Sequence, residues 1–233
     1  MHYVNSFGAK DSFKIETGYM RRIPILKSDA LVAFKHIATQ ETFNVQTPIK
    51  EELFANKWFT MLDRKASRDL FDVYQITKME FDRTTFRKCA IIESLMQEKQ
   101  KLTRINTKNA INKIPIDNSL RNLLQTEAVS DYDFQEIKEQ VTKLTEETIS
   151  DITPSEAKAL NQFFDHSAFK PSLIDDSGIF NEKIDEHPAI LRTLQKLGQR
   201  KRRRRETRPR RDGFGALKEM TPFTEEDELN THD

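Results

Sequence analysis

The chain has 233 residues, with 38 lysines and arginines against 37 aspartates and glutamates, and 36% hydrophobic residues. Its single cysteine excludes an internal disulfide and a thiolate metal cluster within one chain. No apolar run approaches the ~18 residues of a membrane span, and the first residues, MHYVNSFGAK, lack the apolar segment of a signal peptide. These features predict one or two folded domains in the cytoplasm.

The net charge of +1 conceals two opposite blocks at the end of the chain. Residues 200–211 carry nine basic side chains and one acid, whereas residues 212–233 carry seven acids and one base. Residues 1–199 keep 28 basic and 29 acidic residues, so this body is nearly neutral. Blocky charge with few large apolar side chains predicts a disordered tail over 198–233.

Strand signals are confined to residues 1–47. Residues 12–19 alternate, with Phe13, Ile15 and Tyr19 on one side of the predicted strand. Residues 22–26 and 43–45 are weaker strand candidates, and residues 29–38 fit either a strand or a short helix. Because two or three strands without a second layer are marginal in water, this segment is predicted to be part of a sheet that other polypeptide completes.

From residue 48 onward the apolar spacing is helical. Thr47 is predicted to cap the first helix, with Pro48 at the first helical position, and a second helix is predicted to begin at Ser67 or Asp69 after a turn at 63–67. Further helices are predicted over 86–101, 119–128 and 134–148. Another is predicted to begin at residue 154, after a capping box formed by Thr153 and Glu156. The last is predicted over 188–197, with Gly198 ending it. The predicted fold class is α+β: a partial sheet at 1–47, a helical body at 48–197 and a tail at 198–233.

Four charged residues within this helical body share one face if the helix is continuous. At about 100° per residue, Lys57, Arg64, Arg68 and Asp72 fall on the same side. Lysine and arginine together suit phosphate binding, as a point charge and a planar fork. The alternative is a solvated charged face with ordinary salt bridges, and the spacing alone favours that alternative.

The same stretch resembles the C-terminal signature of AbiEii/AbiGii-type abortive-infection toxins, which are members of the nucleotidyltransferase superfamily. The residues in register with that pattern are Glu51, Glu52, Leu53, Ala55, Lys57, Leu62, Arg64, Arg68, Asp69, Leu70 and Asp72. Residues 14–16 resemble the preceding sheet strand of the family, and residues 187–191 resemble the start of its C-terminal helix. The resemblance implies a partial nucleotidyltransferase-type sheet followed by helices.

The resemblance also implies an activity: nucleotide transfer from GTP or another NTP, with Mg²⁺, to RNA such as tRNA, opposed by an antitoxin that acts at the gene level. By position, Lys57 would contact nucleotide phosphates, and Asp69 and Asp72 would be the acidic members of the last motif. Arg64 and Arg68 would bind phosphate or orient these acids. Glu16 would be a third carboxylate.

Two motifs that this chemistry requires are missing from the chain. The family has a Gly-Gly or Gly-Ser pair and an Asp-x-Asp or Asp-x-Glu pair that holds magnesium. The one Asp-x-Asp here, residues 131–133, precedes a predicted helix and is interpreted as a helix cap. No metal ligands are therefore assigned, and the chain is expected to be a fragment, half of a split enzyme with a complementing N-terminal chain, or a degenerate relative, and to be inactive alone.

The alternative function is a non-catalytic helical module that binds RNA or protein. Its RNA contact would be the basic block of the tail, namely Arg200, Lys201, Arg202, Arg203, Arg204 and Arg205, since basic segments bind phosphate without sequence readout. The same block could instead pair with the acidic residues that follow it. The basic block has no amphipathic apolar face that would support binding to a membrane surface.

No zinc site is predicted, because the five histidines lack the spacing of zinc ligands. Cys89 is predicted to be a buried thiol.

Overall fold

The computed structural model describes residues 2–4, 8–12, 18–96, 102–116, 120 and 133–206. Within these ranges lie two separate two-stranded sheets and seven α-helices, so the α+β prediction is confirmed. The strands are β1 His2–Val4, β2 Lys10–Ser12, β3 Asp29–Lys35 and β4 Thr42–Pro48. The helices are α1 Lys50–Arg64, α2 Ser67–Thr77, α3 Arg83–Met96, α4 Thr107–Asn112, α5 Phe134–Ser150, α6 Pro154–His166 and α7 Pro188–Glu206.

Both sheets are antiparallel hairpins, β1 with β2 and β3 with β4. The segment 29–38, which fitted a strand or a helix, is a strand as far as Lys35, and the strand predicted at 43–45 lies inside β4. Residues 22–26 form only an isolated bridge, Leu26 with Phe180. The strand predicted over 12–19 falls mostly on residues 13–17, outside the described ranges; Ser12 belongs to β2, and residues 18 and 19 are not strand.

Helix α1 begins later than predicted. Thr47 and Pro48 are the last residues of β4, paired with Ala30 and Asp29, so Thr47 does not cap the helix. The backbone of Ile49 occupies the N-cap position without a side-chain cap. The predicted start of the helix at Pro48 is therefore wrong, because strand pairing keeps the backbone extended through residue 48.

The predicted turn between the first two helices is present. Helix α1 ends at Arg64, Lys65 adopts a left-handed conformation with φ 55°, and α2 begins at Ser67. The backbone N–H of Lys65 donates to the carbonyl of Met61, which closes the helix end. A turn this short between two helices produces a helical hairpin, so α1 and α2 lie side by side.

The core lies between the helices. Helix α1 contacts α2 and α3, α2 and α4 contact α5, and α3 contacts α6. Trp58 is fully buried, and its indole Nε1 donates to the hydroxyl of Thr145 on α5 at 3.1 Å. Phe86 packs edge-on against the same ring with centroids 6.0 Å apart. Cys89 is buried in this core, as predicted.

Side-chain caps fix several of the later helices. The carboxylate of Asp133 accepts the backbone N–H groups of Gln135 and Glu136 at the start of α5, which confirms the capping interpretation of this aspartate. Thr153 and Glu156 form the predicted capping box of α6. Helix α3 starts at Arg83 rather than residue 86. Its predicted end at 97–101 and the helix predicted over 119–128 lie outside the described residues, apart from Leu120.

Helix α7 does not stop at Gly198. It continues to Glu206, so the predicted helix end is wrong, and residues 198–206 of the predicted tail have helical backbone. A glycine inside a helix costs only about 1 kcal/mol relative to alanine, and the glutamines, arginines and lysine around it are good helix formers. By contacts, the chain divides into the unit Met1–Gln199 and the unit Arg200–Asp233. The rest of the predicted tail, 207–233, lies outside the described residues.

Candidate functional site

Two residues of the predicted phosphate-binding face meet across the α1–α2 hairpin. The Nζ of Lys57 lies 2.7 Å from Oδ2 of Asp72, although the two residues are 15 positions apart. About half of each side chain is exposed, 53% for Lys57 and 44% for Asp72. The hairpin thus places a lysine and an aspartate at the surface as an ion pair that solvent reaches.

The two arginines of the face lie nearer the turn. Arg64 is the last residue of α1 and is exposed. It lies seven residues beyond Lys57, which is about 10 Å along the helix axis. Arg68 is exposed in the first turn of α2, four residues before Asp72. The predicted face therefore supplies three exposed cations and the half-exposed Asp72 on two adjacent helices, and the exposed Asp63 and Lys65 lie beside Arg64 at the turn.

Asp69 has a different environment from Asp72. It is buried in the first turn of α2, where the helix dipole favours a carboxylate. Its Oδ2 has no hydrogen-bond partner among the described residues. Of the two aspartates in the motif, Asp72 faces solvent beside Lys57, whereas Asp69 lies beneath the surface.

The described residues do not fit a magnesium ion. No group of three or more His, Cys, Asp and Glu side chains that could hold a metal occurs among them. Asp72 is paired with Lys57, and Asp133 is a helix cap. Glu16, the predicted third carboxylate, lies outside the described residues. The exposed cations of the hairpin do suit the phosphates of a nucleotide.

A cavity of about 330 Å³ is lined in part by Glu52, Leu53 and Asn56 of α1, and none of the charged contacts in it was predicted. The guanidinium of Arg21 donates to both oxygens of Glu93, at 2.5 and 2.6 Å. Asn56 Nδ2 donates to the same carboxylate at 3.2 Å. Glu93 is buried within the apolar helix α3, and an acid at such a position is the signal that could have indicated a partner.

Glu52 and His187 complete the wall of this cavity. The carboxylate of Glu52 accepts the backbone N–H groups of Ile25 and Leu26, both at 3.0 Å. Burial raises the pKa of Glu52, although these two hydrogen bonds oppose the shift. Burial also disfavours the charged form of His187 and therefore lowers its pKa. The Nδ1 of His187 accepts the N–H of Ala189 at the start of α7. These contacts hold residues 25–26 and the start of α7 in place.

The predicted RNA-binding residues form the end of α7. Arg200, Lys201, Arg202, Arg203, Arg204 and Arg205 all have helical backbone. Arg202 and Arg203 are exposed. Cations in the last turns of a helix are favoured by its dipole. The block is therefore presented on a helix as far as residue 205.

Among the residues that the structure describes, no helix combines the length and the apolar character needed to cross a bilayer. Residues 3–164 match a family model described as "Nucleotidyl transferase AbiEii toxin, Type IV TA system". The matched range includes the α1–α2 hairpin, and it ends before α7. No curated protein and no solved structure matches the chain.

Proposed function

We propose, because the chain belongs to the AbiEii nucleotidyl transferase toxin family, that its α1–α2 hairpin binds the phosphates of GTP or another nucleoside triphosphate for transfer of the nucleotide to RNA, such as tRNA. The family is one of type IV toxin–antitoxin systems, which implies an antitoxin as a partner. The single observation that carries the proposal is the Lys57–Asp72 contact across the hairpin.

This contact suits a lysine that exchanges partners. An exposed ion pair contributes about 0–1 kcal/mol, because water solvates both charges well. Moving the ammonium of Lys57 from Asp72 to a phosphate oxygen therefore costs little, and the charge-assisted bond to phosphate replaces the one that is lost. Asp72 positions Lys57 before the nucleotide arrives.

Arg64 and Arg68 extend the same surface toward the turn. Their planar guanidinium groups can each take two oxygens of a phosphate. A triphosphate that lies along the hairpin would contact Lys57 at one end and the arginines at the other. Asp69, because it is buried, supports the first turn of α2 and does not contact the nucleotide.

Among the described residues, no group of three or more His, Cys, Asp and Glu side chains could hold magnesium. Magnesium requires hard oxygen ligands at short distance. We propose that such carboxylates come from a different polypeptide segment, so that residues 1–233 alone bind nucleotide without transferring it. Half of a split enzyme with a complementing N-terminal chain is one arrangement that meets this requirement.

The basic end of α7 is proposed to hold the RNA. Six consecutive basic residues release counterions when they bind a phosphate backbone, which gives strong and salt-dependent binding. Removing residues 200–211 is expected to flatten the dependence of RNA binding on salt concentration. An unchanged slope would show that RNA binds elsewhere.

Binding of inorganic tripolyphosphate and of GTP, measured by titration calorimetry, tests the hairpin. Lys57→Ala is expected to weaken both ligands at least tenfold, since it removes the central cation. Lys183→Ala, at an exposed lysine before α7, is the matched control and is expected to have no effect. Equal binding by the Lys57 variant and the unaltered chain would remove the hairpin from nucleotide binding.

A transfer assay tests the proposed outside source of the carboxylates. The isolated chain is expected to give no transfer of labelled GTP to tRNA, and robust magnesium-dependent transfer would contradict the proposed outside source of carboxylates. The alternative function, a non-catalytic module that binds RNA or protein, is supported by the basic end of α7. It requires RNA binding in a chain whose tripolyphosphate binding is unchanged by Lys57→Ala.

A further inference from the structure

The β3–β4 hairpin presents an apolar face to solvent. In its register Val32 lies opposite Val45, and Phe34 lies opposite Phe43. Directly opposed residues of an antiparallel pair point to the same side of the sheet, so these four side chains form one face. The two phenylalanine rings are 5.1 Å apart, and 47% of Phe34 and 52% of Phe43 are exposed.

The other face of the hairpin is mainly polar. Lys35 lies opposite Thr42, Ala33 opposite Asn44, and Leu31 opposite Gln46. Leu31 is the one large apolar side chain on this face among the described residues, and it is 70% exposed. Outside Ala30, Thr47 and Pro48, every residue of the two strands is exposed.

A hairpin of this kind requires a covering layer. An isolated two-stranded sheet is at best marginally stable in water. Exposed apolar side chains that form one contiguous face, unlike those scattered singly, are candidates for an interaction site. The described residues leave the apolar side of β3 and β4 open, so a covering layer would come from another chain or from residues outside the described ranges.

We propose that a second copy of this chain covers the apolar face, so that two hairpins pack face to face about a two-fold axis. The face is made of Ala30, Val32, Phe34, Phe43, Val45 and Thr47, and none of these carries a charge. A two-fold contact sets the same surface against itself. A face without charge meets its own copy without like-charge repulsion.

The sizes of the side chains also suit this arrangement. The two-fold axis would run perpendicular to the strands, between the valine pair and the phenylalanine pair. It would stack Phe34 and Phe43 of one copy over Val32 and Val45 of the other. Large residues then meet small ones, which is how two sheets interdigitate in a packed layer. Ile37, exposed in the turn beyond β3, extends the contact at each end.

The size of the face limits the strength of the contact. Each strand has seven residues, which at about 3.3 Å per residue and about 5 Å between strands gives a footprint of roughly 230 Å². Stable complexes bury about 800 Å² on each partner. The dimer is therefore expected to be weak and reversible, with dissociation at micromolar concentrations or above.

Sedimentation equilibrium of the full chain over a wide concentration range tests the proposal. The chain is expected to shift from monomer to dimer as its concentration rises. Phe43→Lys, on the apolar face, is expected to weaken dimerisation at least tenfold, while Leu31→Lys, on the opposite face, leaves it unchanged. Far-ultraviolet circular dichroism checks that both variants keep the helical body.

Two results would overturn the proposal. One is a monomer at every concentration, which would leave the face to a different polypeptide, such as a complementing chain, or to residues of this chain outside the described ranges. The other is equal weakening by Leu31→Lys and Phe43→Lys, which would place the dimer contact elsewhere. Because neither measurement uses a nucleotide, the outcome does not depend on whether the hairpin of α1 and α2 binds phosphate.

Discussion

Replacing Asp175 with asparagine is expected to destabilise the protein in a pH-dependent way. The side chain of Asp175 is fully buried, and its Oδ1 lies 2.6 Å from Nζ of Lys88 on α3. Its Oδ2 accepts the backbone N–H groups of Gly178 and Ile179 at 2.8 and 3.1 Å. Burial opposes the charged form, yet Lys88, Ile179 and Ser177 together hold the pKa of Asp175 at about 2.

The size of the effect follows from this pKa. In the unfolded chain an aspartate titrates near 3.9, so the folded state favours the ionised form by about 2.5 kcal/mol at pH 7. Because the pKa is lowered by folding, this stability is present above about pH 4 and is lost as the pH falls toward 2. Asp175→Asn removes the charge, so it is expected to cost about 2.5 kcal/mol at pH 7 and about half of that near pH 3.

Urea unfolding followed by the fluorescence of the buried Trp58 measures this difference at pH 7, 5 and 3. Asp176→Asn is the matched control, because Asp176 is the exposed neighbour, and it is expected to change stability by less than about 0.5 kcal/mol. A cost for Asp175→Asn that stays below about 0.5 kcal/mol at pH 7, or that grows as the pH falls, would refute the assignment of Asp175 as an ionised buried partner of Lys88.

Three further predictions concern other buried groups. Burial lowers the pKa of His187, so the free energy of unfolding should fall as the pH drops below about 6.5. His187→Asn keeps an acceptor for the N–H of Ala189 and should remove that part of the pH dependence. Trp58→Phe should cost about 1–2 kcal/mol in urea unfolding followed by circular dichroism, since the hydrogen bond to Thr145 is lost; no measurable change would contradict this role. Burial raises the pKa of the Cys89 thiol, so a thiol reagent should label it only in denaturant, and labelling of the native protein would contradict its burial.

Local signals in the sequence predicted much of the helical body. The polar run between Leu62 and Leu70 interrupts the apolar spacing, and the structure turns there at Lys65. Asp133 and Thr153 precede helical patterns as capping residues, and both act as caps. Each of these features depends on residues within one turn of each other, which is the range over which spacing carries information.

The remaining features depend on contacts between distant residues or on competing local preferences. Arg21 and Glu93 pair over 72 positions, and no local pattern specifies such a pair. The sequence around Thr47 is typical of a helix cap, but Thr47 pairs with Ala30 in the sheet and its backbone is extended. Gly198 resembled a helix stop, but the helix-forming residues on both sides outweigh its cost.

For the candidate site, spacing placed Lys57 and Asp72 on one face, and the structure joins them across the turn. Spacing could not distinguish the environments of Asp69 and Asp72, because burial is set by the packing of α2 against α1 and α5. The roles of Lys57, Arg64, Arg68 and Asp72 in phosphate binding stay predictions.

The turn at Lys65 and Ala66 also determines whether the charged residues of α1 and α2 come together. The charged positions from Lys57 to Asp72 lie within one short stretch of sequence, and the two residues between α1 and α2 fix their spacing. Adding or deleting one residue there would change how α2 packs beside α1 and is expected to separate Asp72 from Lys57. The Lys57–Asp72 contact therefore depends on the length of this turn, while insertions between later helices leave the spacing of the two residues unaltered.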